Sequence, residues 1–289
     1  PLFVFMGLML ERSGIAERLM RSLAALFRGV PGGYAFAVAI IGVIMAASTG
    51  IIGASVVMMG MMALPAMREA RYDMQLSCGL IASSGTLGIL LPPSIMLIIL
   101  GDQMRLSVGD LFLGAIGPGL LLAGLYFLYL TGVAIFAPHR VPAPERVEPI
   151  AFWPAAWALT RDLLAPFVLI LSVLGTIIAG IATPTESAAI GAAGALLLAL
   201  MSRKLTFPAL QGAVHETTRT TAMIVFVMIG ASIFSVVFRR LGGDAMILQI
   251  FDIHDANPYW VLFIIMALIF LLGFFLDWVE ITLVVVPIV

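Results

Sequence analysis

Long, uninterrupted apolar runs dominate the chain and predict membrane-spanning α-helices. The hydrocarbon core of a bilayer is about 30 Å thick and needs about 20 apolar residues in helical form. The runs that meet or approach this length are 76–100, 108–136, 163–182, 187–201, 220–238 and 258–276. They are continuous rather than alternating, and open sheet edges are not tolerated in lipid. The pattern therefore predicts an all-α, polytopic membrane protein.

One apolar run, residues 34–64, is too long for a single upright helix and contains a helix-breaking sequence at its middle. Ser48, Thr49 and Gly50 stand inside it. We expect these residues to form the tip of a re-entrant hairpin, in which one helix enters the membrane and a second leaves on the same side near Pro65. Such irregular backbone persists at membrane depth only where protein or a wet cavity surrounds it.

A second apolar run, residues 76–100, is interrupted by Pro92 and Pro93, with Gly85 and Gly88 just before them. Prolines donate no backbone hydrogen bond, and glycines loosen the preceding turn. The carbonyls freed there need partners, because an unpaired polar group in lipid costs on the order of several kcal/mol. Sodium is a suitable partner for bare oxygens, and helix N-termini suit an anionic substrate. The alternative is a simple kink, since Gly and Ser also mark close helix packing.

Two further polar segments separate apolar runs. Residues 179–187 include Glu186, which is either an intramembrane carboxylate or the cap of a helix with Pro184 in its first turn. Residues 273–282 include Asp277 and Glu280. An ionised carboxylate in lipid costs free energy, so a carboxylate flanked by apolar runs is taken as a functional candidate. A short aqueous turn between spans would also accommodate both residues.

Composition supports a membrane protein and excludes several functions. The chain is 62% hydrophobic and 11% charged, with a mean hydropathy of +1.15, whereas soluble domains are about 25% charged. A net charge of −1 argues against nucleic-acid binding. The chain lacks a P-loop, which gives ATP-driven transport no support, and its histidines are too scattered for a metal site. The basic pair Arg203-Lys204 is placed on the cytoplasmic side.

The runs divide the chain into five segments. Residues 1–33 hold the end of a span and an amphipathic interfacial helix, and residues 34–137 hold a hairpin, an unwound helix and a following span. Residues 138–162 form a proline-rich linker, and residues 163–272 hold further spans. Residues 273–289 start a second hairpin that is truncated. Because both ends lie in apolar runs, we expect the chain to be a fragment of a longer protein.

Several of these segments resemble the large permease subunit of TRAP (tripartite ATP-independent periplasmic) transporters of the DctM type. The matching stretches include 46–55, 82–94 with its Ser-Gly-Thr-Leu-Gly and Pro-Pro-Ser elements, 183–186 and 276–282. The resemblance implies an elevator-type, inverted-repeat transporter of the bacterial inner membrane that is not an enzyme and has no cofactor. It makes residues 34–137 the core of a first repeat and places the middle and second-repeat spans in residues 163–272. It further implies sodium-driven import of carboxylates, with a periplasmic substrate-binding protein and a small four-helix membrane subunit as partners.

The resemblance also assigns roles to individual residues. The residues implied in sodium binding are Ser48, Thr49, Gly50, Gly88, Leu91, Pro93, Gly180 and Thr183. Those implied in substrate binding or gating are Ser55, Ser84, Thr86, Ser94, Thr185, Glu186 and Asp277. One departure from the family pattern is Ile89, where many relatives have a polar residue.

Two alternatives to this function remain open at this point. The first is a channel or a single-component ion-coupled carrier. The second is a membrane-embedded enzyme that uses Asp277 with Glu280, or Glu186, as acid and base. The enzyme would require two carboxylates within reach of one cavity.

Overall fold

The computed structural model describes residues 1–27, 30–49, 52–142, 152–243, 245–246 and 258–286. Every extended regular element in these ranges is a helix, and they contain no strand. The helical content confirms the predicted all-α class. Continuous apolar runs form helices because only a helix satisfies all its own backbone groups in lipid.

Twelve helices are described, and we number them in chain order. They are α1 (Leu2–Arg12), α2 (Ile15–Leu26), α3 (Gly33–Thr49), α4 (Ile52–Glu69), α5 (Met74–Leu90), α6 (Ile95–Met104), α7 (Val108–Phe136), α8 (Phe152–Ile178), α9 (Pro184–Met201), α10 (Phe207–Arg240), α11 (Pro258–Leu272) and α12 (Trp278–Glu280). A 3₁₀ turn covers Pro138–Arg140, and a π-helical turn, Ile281–Val285, continues α12.

Four helical segments are long and apolar enough to cross a bilayer: Val108–Phe136, Leu159–Ile178, Pro184–Met201 and Phe207–Arg240. The bent pair formed by α5 and α6 would make a fifth span. The first of these segments has the same bounds as the predicted run. The polytopic membrane architecture is therefore confirmed for the described part of the chain.

The chain divides into two compact units, which we describe separately. Unit 1 comprises Pro1–Leu97 and Val108–Thr217. In unit 1, α3 and α4 both pack on α5, α1 packs on α9, and α2 packs on α8. Unit 2 comprises Ile98–Ser107 and Thr218–Val289, and its core includes Ala231, Val279 and Leu283.

Helices α8 and α9 form an antiparallel hairpin inside unit 1. The hydroxyls of Thr176 and Ser187 lie 2.9 Å apart. Further along, Gly191 lies against Val173, and Gly194 lies against Leu169. Because residue numbers fall in one helix as they rise in the other, the N-terminal end of α8 and the C-terminal end of α9 lie at the same end of the hairpin.

Two helices extend beyond the apolar runs that predicted them. Helix α4 continues through Pro65 to Glu69. Met, Leu and Ala residues around the proline are strong helix formers, and an internal proline in a membrane helix is tolerated where neighbours satisfy the freed carbonyl. Helix α8 already begins at Phe152, because Pro154 falls in its first turn, where the missing N–H costs little.

Candidate functional site

The break after α5 lies where the two prolines predict it. Helix α5 ends at Leu90, and Leu91 adopts an extended conformation with φ −86° and ψ 127°. Pro92 and Pro93 follow, and α6 begins at Ile95. The two helices are bent by 41° at this point. Residues 76–100 are therefore a broken helix rather than a continuous one.

The prolines leave two carbonyls of α5 without their regular helical donors. In a continuous helix, residue 92 would donate to Gly88 and residue 93 would donate to Ile89, but proline has no N–H. The Ser94 hydroxyl replaces one donor by bonding the Ile89 oxygen at 2.6 Å. The Gly88 carbonyl has no regular helical donor, so a cation or a water molecule can bond it.

Side chains around the break are buried and hold its backbone in place. Leu87 and Leu91 form an apolar cluster with Ala123 of α7, and Val43 of α3 packs against it. Gly119 of α7 approaches so closely that an added Cβ would lie 2.8 Å from Leu91 Cδ2. The cluster fixes the Leu91 side chain and so restrains the backbone at the break.

The predicted hairpin is present on both sides of its tip. Gly42 of α3 contacts Ser84 of α5, and Val56 of α4 contacts the next residue, Gly85. A straight helix would hold positions 42 and 56 about 21 Å apart, at about 1.5 Å per residue. Because both positions reach neighbouring residues of α5, the chain must fold back between α3 and α4.

The hairpin tip itself is only partly described. Thr49 is the last residue of α3, and Ser48 precedes it within the helix. Gly50 lies outside the described residues, as do the side chains of the other two. The sodium-binding roles predicted for this tip therefore stay predictions.

Serines on the two elements that meet here are buried. Ser55 of α4 is 1% exposed and Ser84 of α5 is 0% exposed. The Ser84 hydroxyl has no hydrogen-bond partner within the described residues. A buried unpaired hydroxyl costs about 1–3 kcal/mol, which favours a bound ion or water beside it. Thr86, in contrast, is exposed and donates to the Ser83 carbonyl at 2.7 Å.

The segment around Glu186 is a regular helix start. Thr183 Oγ1 accepts from the Glu186 amide at 3.3 Å, and Glu186 Oε2 accepts from the Thr183 amide at 2.8 Å. This reciprocal pair is a capping box, with Pro184 in the first turn. Gly180 takes a left-handed φ of +67° after α8, while Thr185 is exposed. Of the two interpretations left open for Glu186, the geometry shows the cap.

Asp277 and Glu280 occupy different environments in unit 2. Asp277 is exposed, and its Oδ1 accepts from the Trp278 amide at 2.8 Å, which starts α12. Glu280 is half-buried, and its Oε2 is buried without a hydrogen-bond partner among the described residues. One carboxylate therefore caps a helix, while the other has a free oxygen.

An ion at the α5 break would be held by carbonyl and hydroxyl oxygens. No group of three or more His, Cys, Asp or Glu side chains with metal-binding geometry occurs in the part of the chain that the structure describes. Sodium is a hard cation for which neutral oxygens are adequate ligands, as the unwound helices of transporters illustrate. The residues present at the break fit such an ion.

The sequence did not single out two features of unit 1. Gly42 is one of many glycines in apolar runs, and only its contact with Ser84 distinguishes it. Glu11 has a buried Oε2 without a partner in the described chain. Its position immediately after the apolar part of α1 was the only signal in the sequence.

Broken and re-entrant helices, combined with several complete spans, define a polytopic α-helical membrane transport protein. Comparison with known proteins specifies the class further. The family model of the tripartite ATP-independent periplasmic transporter, DctM component, matches residues 1–289. The chain belongs to this family. It is therefore a component of an inner-membrane transporter and not an enzyme.

Similar proteins carry names of large permeases with different substrates. The ectoine/5-hydroxyectoine TRAP transporter large permease protein UehC of Ruegeria pomeroyi is 32% identical over 293 residues, which cover 100% of this chain and 66% of that protein. The C4-dicarboxylate TRAP transporter large permease protein DctM of Rhodobacter capsulatus is 32% identical, covering 100% and 68%. The protein of that name from Pseudomonas aeruginosa is 29% identical, covering 100% and 66%. The chain thus spans about two thirds of the length of these relatives.

Proposed function

We propose that this chain forms the core of the large membrane subunit of a sodium-driven secondary importer of carboxylate substrates. It would act with a small four-helix membrane subunit and with a periplasmic protein that delivers the substrate. The observation that carries the proposal is the broken helix α5, where prolines leave the Gly88 carbonyl without its helical donor. A coupling ion supplies the missing positive partner.

The proposed first ion site lies between the hairpin tip and the α5 break. In this proposal the carbonyls of Gly88, Leu91 and Pro93 would supply ligands from one element, and Ser48, Thr49 and Gly50 would supply ligands from the hairpin. The fold-back of α3 and α4 onto α5 supports this pairing, because it places both hairpin helices beside Ser84 and Gly85. Gly180 and Thr183 belong to a second proposed site, where the turn after α8 leaves backbone oxygens at a helix end.

We infer a carboxylate substrate from the helix ends near the break, which attract anions, and not from an arginine side chain that could bind a carboxylate. Residues proposed for substrate binding or gating are Ser55, Ser84, Thr86, Ser94, Thr185, Glu186 and Asp277. Among them, buried Ser84 has a hydroxyl free to bond a ligand, whereas Ser94 is engaged with the Ile89 carbonyl. Because similar relatives are named for ectoine and for C4-dicarboxylates, the transport assay should include both classes of substrate.

Reconstitution of the full-length protein with its two partners in proteoliposomes tests the proposal. Uptake of a dicarboxylate should require an inward sodium gradient and the binding protein. Uptake that is unchanged when potassium replaces sodium would contradict sodium coupling. Uptake without any binding protein would instead support a single-component carrier, and rapid, unsaturable flux would indicate a channel.

A matched pair of variants connects the transport assay to the broken helix. Pro92→Leu restores the backbone donor that the Gly88 carbonyl lacks and should abolish sodium-dependent uptake while the protein still folds. Pro118→Leu makes the same chemical change at an exposed position inside the continuous helix α7, and should retain uptake. Equal activity of the two variants would contradict the role assigned to the α5 break.

A further inference from the structure

A cavity of about 480 Å³ in unit 1 combines basic and apolar walls. It lies between α2, α8 and α9. Its polar lining includes Arg18, Arg161, Asp162 and Ser202, and its apolar lining includes Leu198 and Met201. The ion and substrate sites proposed above use none of these residues.

The ionic contacts of this cavity leave one arginine available. Arg18 Nε lies 3.6 Å from Asp162 Oδ1, and its Nη2 donates to Ser202 Oγ at 3.0 Å. Ser22 donates to the other oxygen of Asp162 at 3.1 Å. The Asp162 charge is therefore balanced by Arg18. Arg161 is exposed and has no ion-pair partner among the described residues.

The cavity lies at one end of the antiparallel α8/α9 hairpin. Arg161 falls near the start of the span Leu159–Ile178, and Met201 is the last residue of the span Pro184–Met201. Because these two ends lie together, the cavity faces the boundary between membrane and water. Lys204 follows α9, and its side chain lies against Gly14, beside the cavity, which adds a second positive charge.

Apolar surface continues from the cavity along the two spans. Leu164 of α8 and Leu197 of α9 are each 57% exposed, and Met201 is 73% exposed. Side chains of this kind at the end of a span face acyl chains. The site therefore offers a planar guanidinium, which suits phosphate oxygens, directly above a surface that suits hydrocarbon.

We propose that this cavity binds the phosphate headgroup of an anionic phospholipid, with Arg161 contacting the phosphate and Leu198 and Met201 contacting the acyl chains. Basic residues cluster in cytoplasmic loops of membrane proteins, and the cytoplasmic leaflet carries anionic lipid. The lipid would join α2, α8 and α9 at their common end. This inference goes beyond the proposed function and does not depend on sodium coupling.

Lipid binding to the full-length protein tests the proposal. The protein is placed in phosphatidylcholine nanodiscs that contain a fixed fraction of phosphatidylglycerol, and the lipid retained after release is measured by native mass spectrometry. Arg161→Gln should reduce retained phosphatidylglycerol about fivefold, the effect expected for one basic residue at an anionic surface. Arg21→Gln is the matched control, since Arg21 is exposed on α2 but does not line the cavity, and it should change retention little.

Equal losses in the two variants would overturn the proposal, because they would report general surface charge only. A second experiment adds inorganic phosphate as a competitor. If phosphate displaces phosphatidylglycerol at millimolar concentration, the site binds a free anion and the lipid assignment is wrong. Should Arg161→Gln fail to fold, the unmodified protein is titrated with phosphatidylglycerol at rising salt concentration. Retention must then fall as salt screens the contact, and salt-independent retention would overturn the proposal.

Discussion

Gly42 of α3 lies directly against Ser84 of α5. A Cβ added at Gly42 would lie 3.2 Å from both the Cα and the carbonyl oxygen of Ser84, and it would overlap the Ser84 Cβ. Because these Ser84 atoms belong to or adjoin the backbone, they cannot move aside by changing a side-chain rotamer. This contact therefore sets the distance between the hairpin and the broken helix.

We expect Gly42→Ala to destabilise the protein by about 1–3 kcal/mol, the usual effect of overpacking a close contact. Gly60→Ala in α4 is the matched control, since an added Cβ there meets no atom within 4 Å. The control should be neutral or stabilising by about 0.5–1 kcal/mol, because alanine favours the helix. Thermal unfolding in detergent measures both changes. Equal stability of the two variants would show that the helices are not held at this distance.

The Ser94 hydroxyl replaces a missing backbone donor, and its removal should be costly. Ser94→Ala leaves the Ile89 carbonyl without its 2.6 Å partner, which we expect to destabilise the protein by about 1–3 kcal/mol. Ser83→Ala removes a hydroxyl that donates to Leu80 inside the regular part of α5, where the backbone still supplies a donor. It should cost less than half as much in the same unfolding measurement. A larger loss for Ser83→Ala would contradict this account.

The capping box at the start of α9 predicts that alanine substitution lowers stability more at Thr183 than at Thr185. Thr183→Ala removes the hydroxyl that accepts from the Glu186 amide and should cost about 0.5–2 kcal/mol. Thr185 lies one residue beyond Pro184 and has no capping role, so Thr185→Ala should have little effect. Thermal unfolding distinguishes the two. A neutral Thr183→Ala would mean that the cap contributes no stability.

Glu11 makes the stability of unit 1 dependent on pH. Burial first, and then the negative charge of Glu216, raise the pKa of Glu11 to about 7, although nearby Arg12 opposes the rise. A carboxyl with a raised pKa in the folded state stabilises the protein when protonated. Its contribution is full below the unfolded-state pKa and is lost as the pH rises towards 7. At about 1.4 kcal/mol per pKa unit, the loss amounts to roughly 3 kcal/mol at most.

Unfolding measured between pH 4.5 and 8 checks this dependence. Glu11→Gln should flatten the decline and make the protein more stable than the unmodified protein above pH 7. Glu17→Gln changes an exposed carboxylate on α2 and should leave the decline intact. A decline that persists in Glu11→Gln would assign the effect to another group.

The sequence predicts those parts of the fold that depend on local signals. The span Val108–Phe136 has the bounds of its apolar run, because a continuous apolar segment in lipid satisfies its backbone groups by forming a helix. Pro92 and Pro93 locate the α5 break, since proline removes backbone donors wherever it stands. Thr183 and Glu186 identify a helix start at their three-residue spacing.

Other features depend on contacts between distant residues and could not be predicted in this way. The glycine at position 42 resembles the one at position 60, although only the first touches another helix. Likewise, the burial that raises the pKa of Glu11 and the pairing of Arg18 with Asp162 arise only when separate helices pack.

Sodium-dependent stabilisation of the full-length protein tests the central claim most directly. If a bound sodium ion satisfies the Gly88 carbonyl, sodium chloride should raise the melting temperature above that in equimolar potassium chloride, because a ligand of the folded state stabilises it. The shift should persist in Pro118→Leu and disappear in Pro92→Leu. Equal stabilisation by potassium, or a sodium-specific shift that survives in Pro92→Leu, would contradict an ion site at the break in α5.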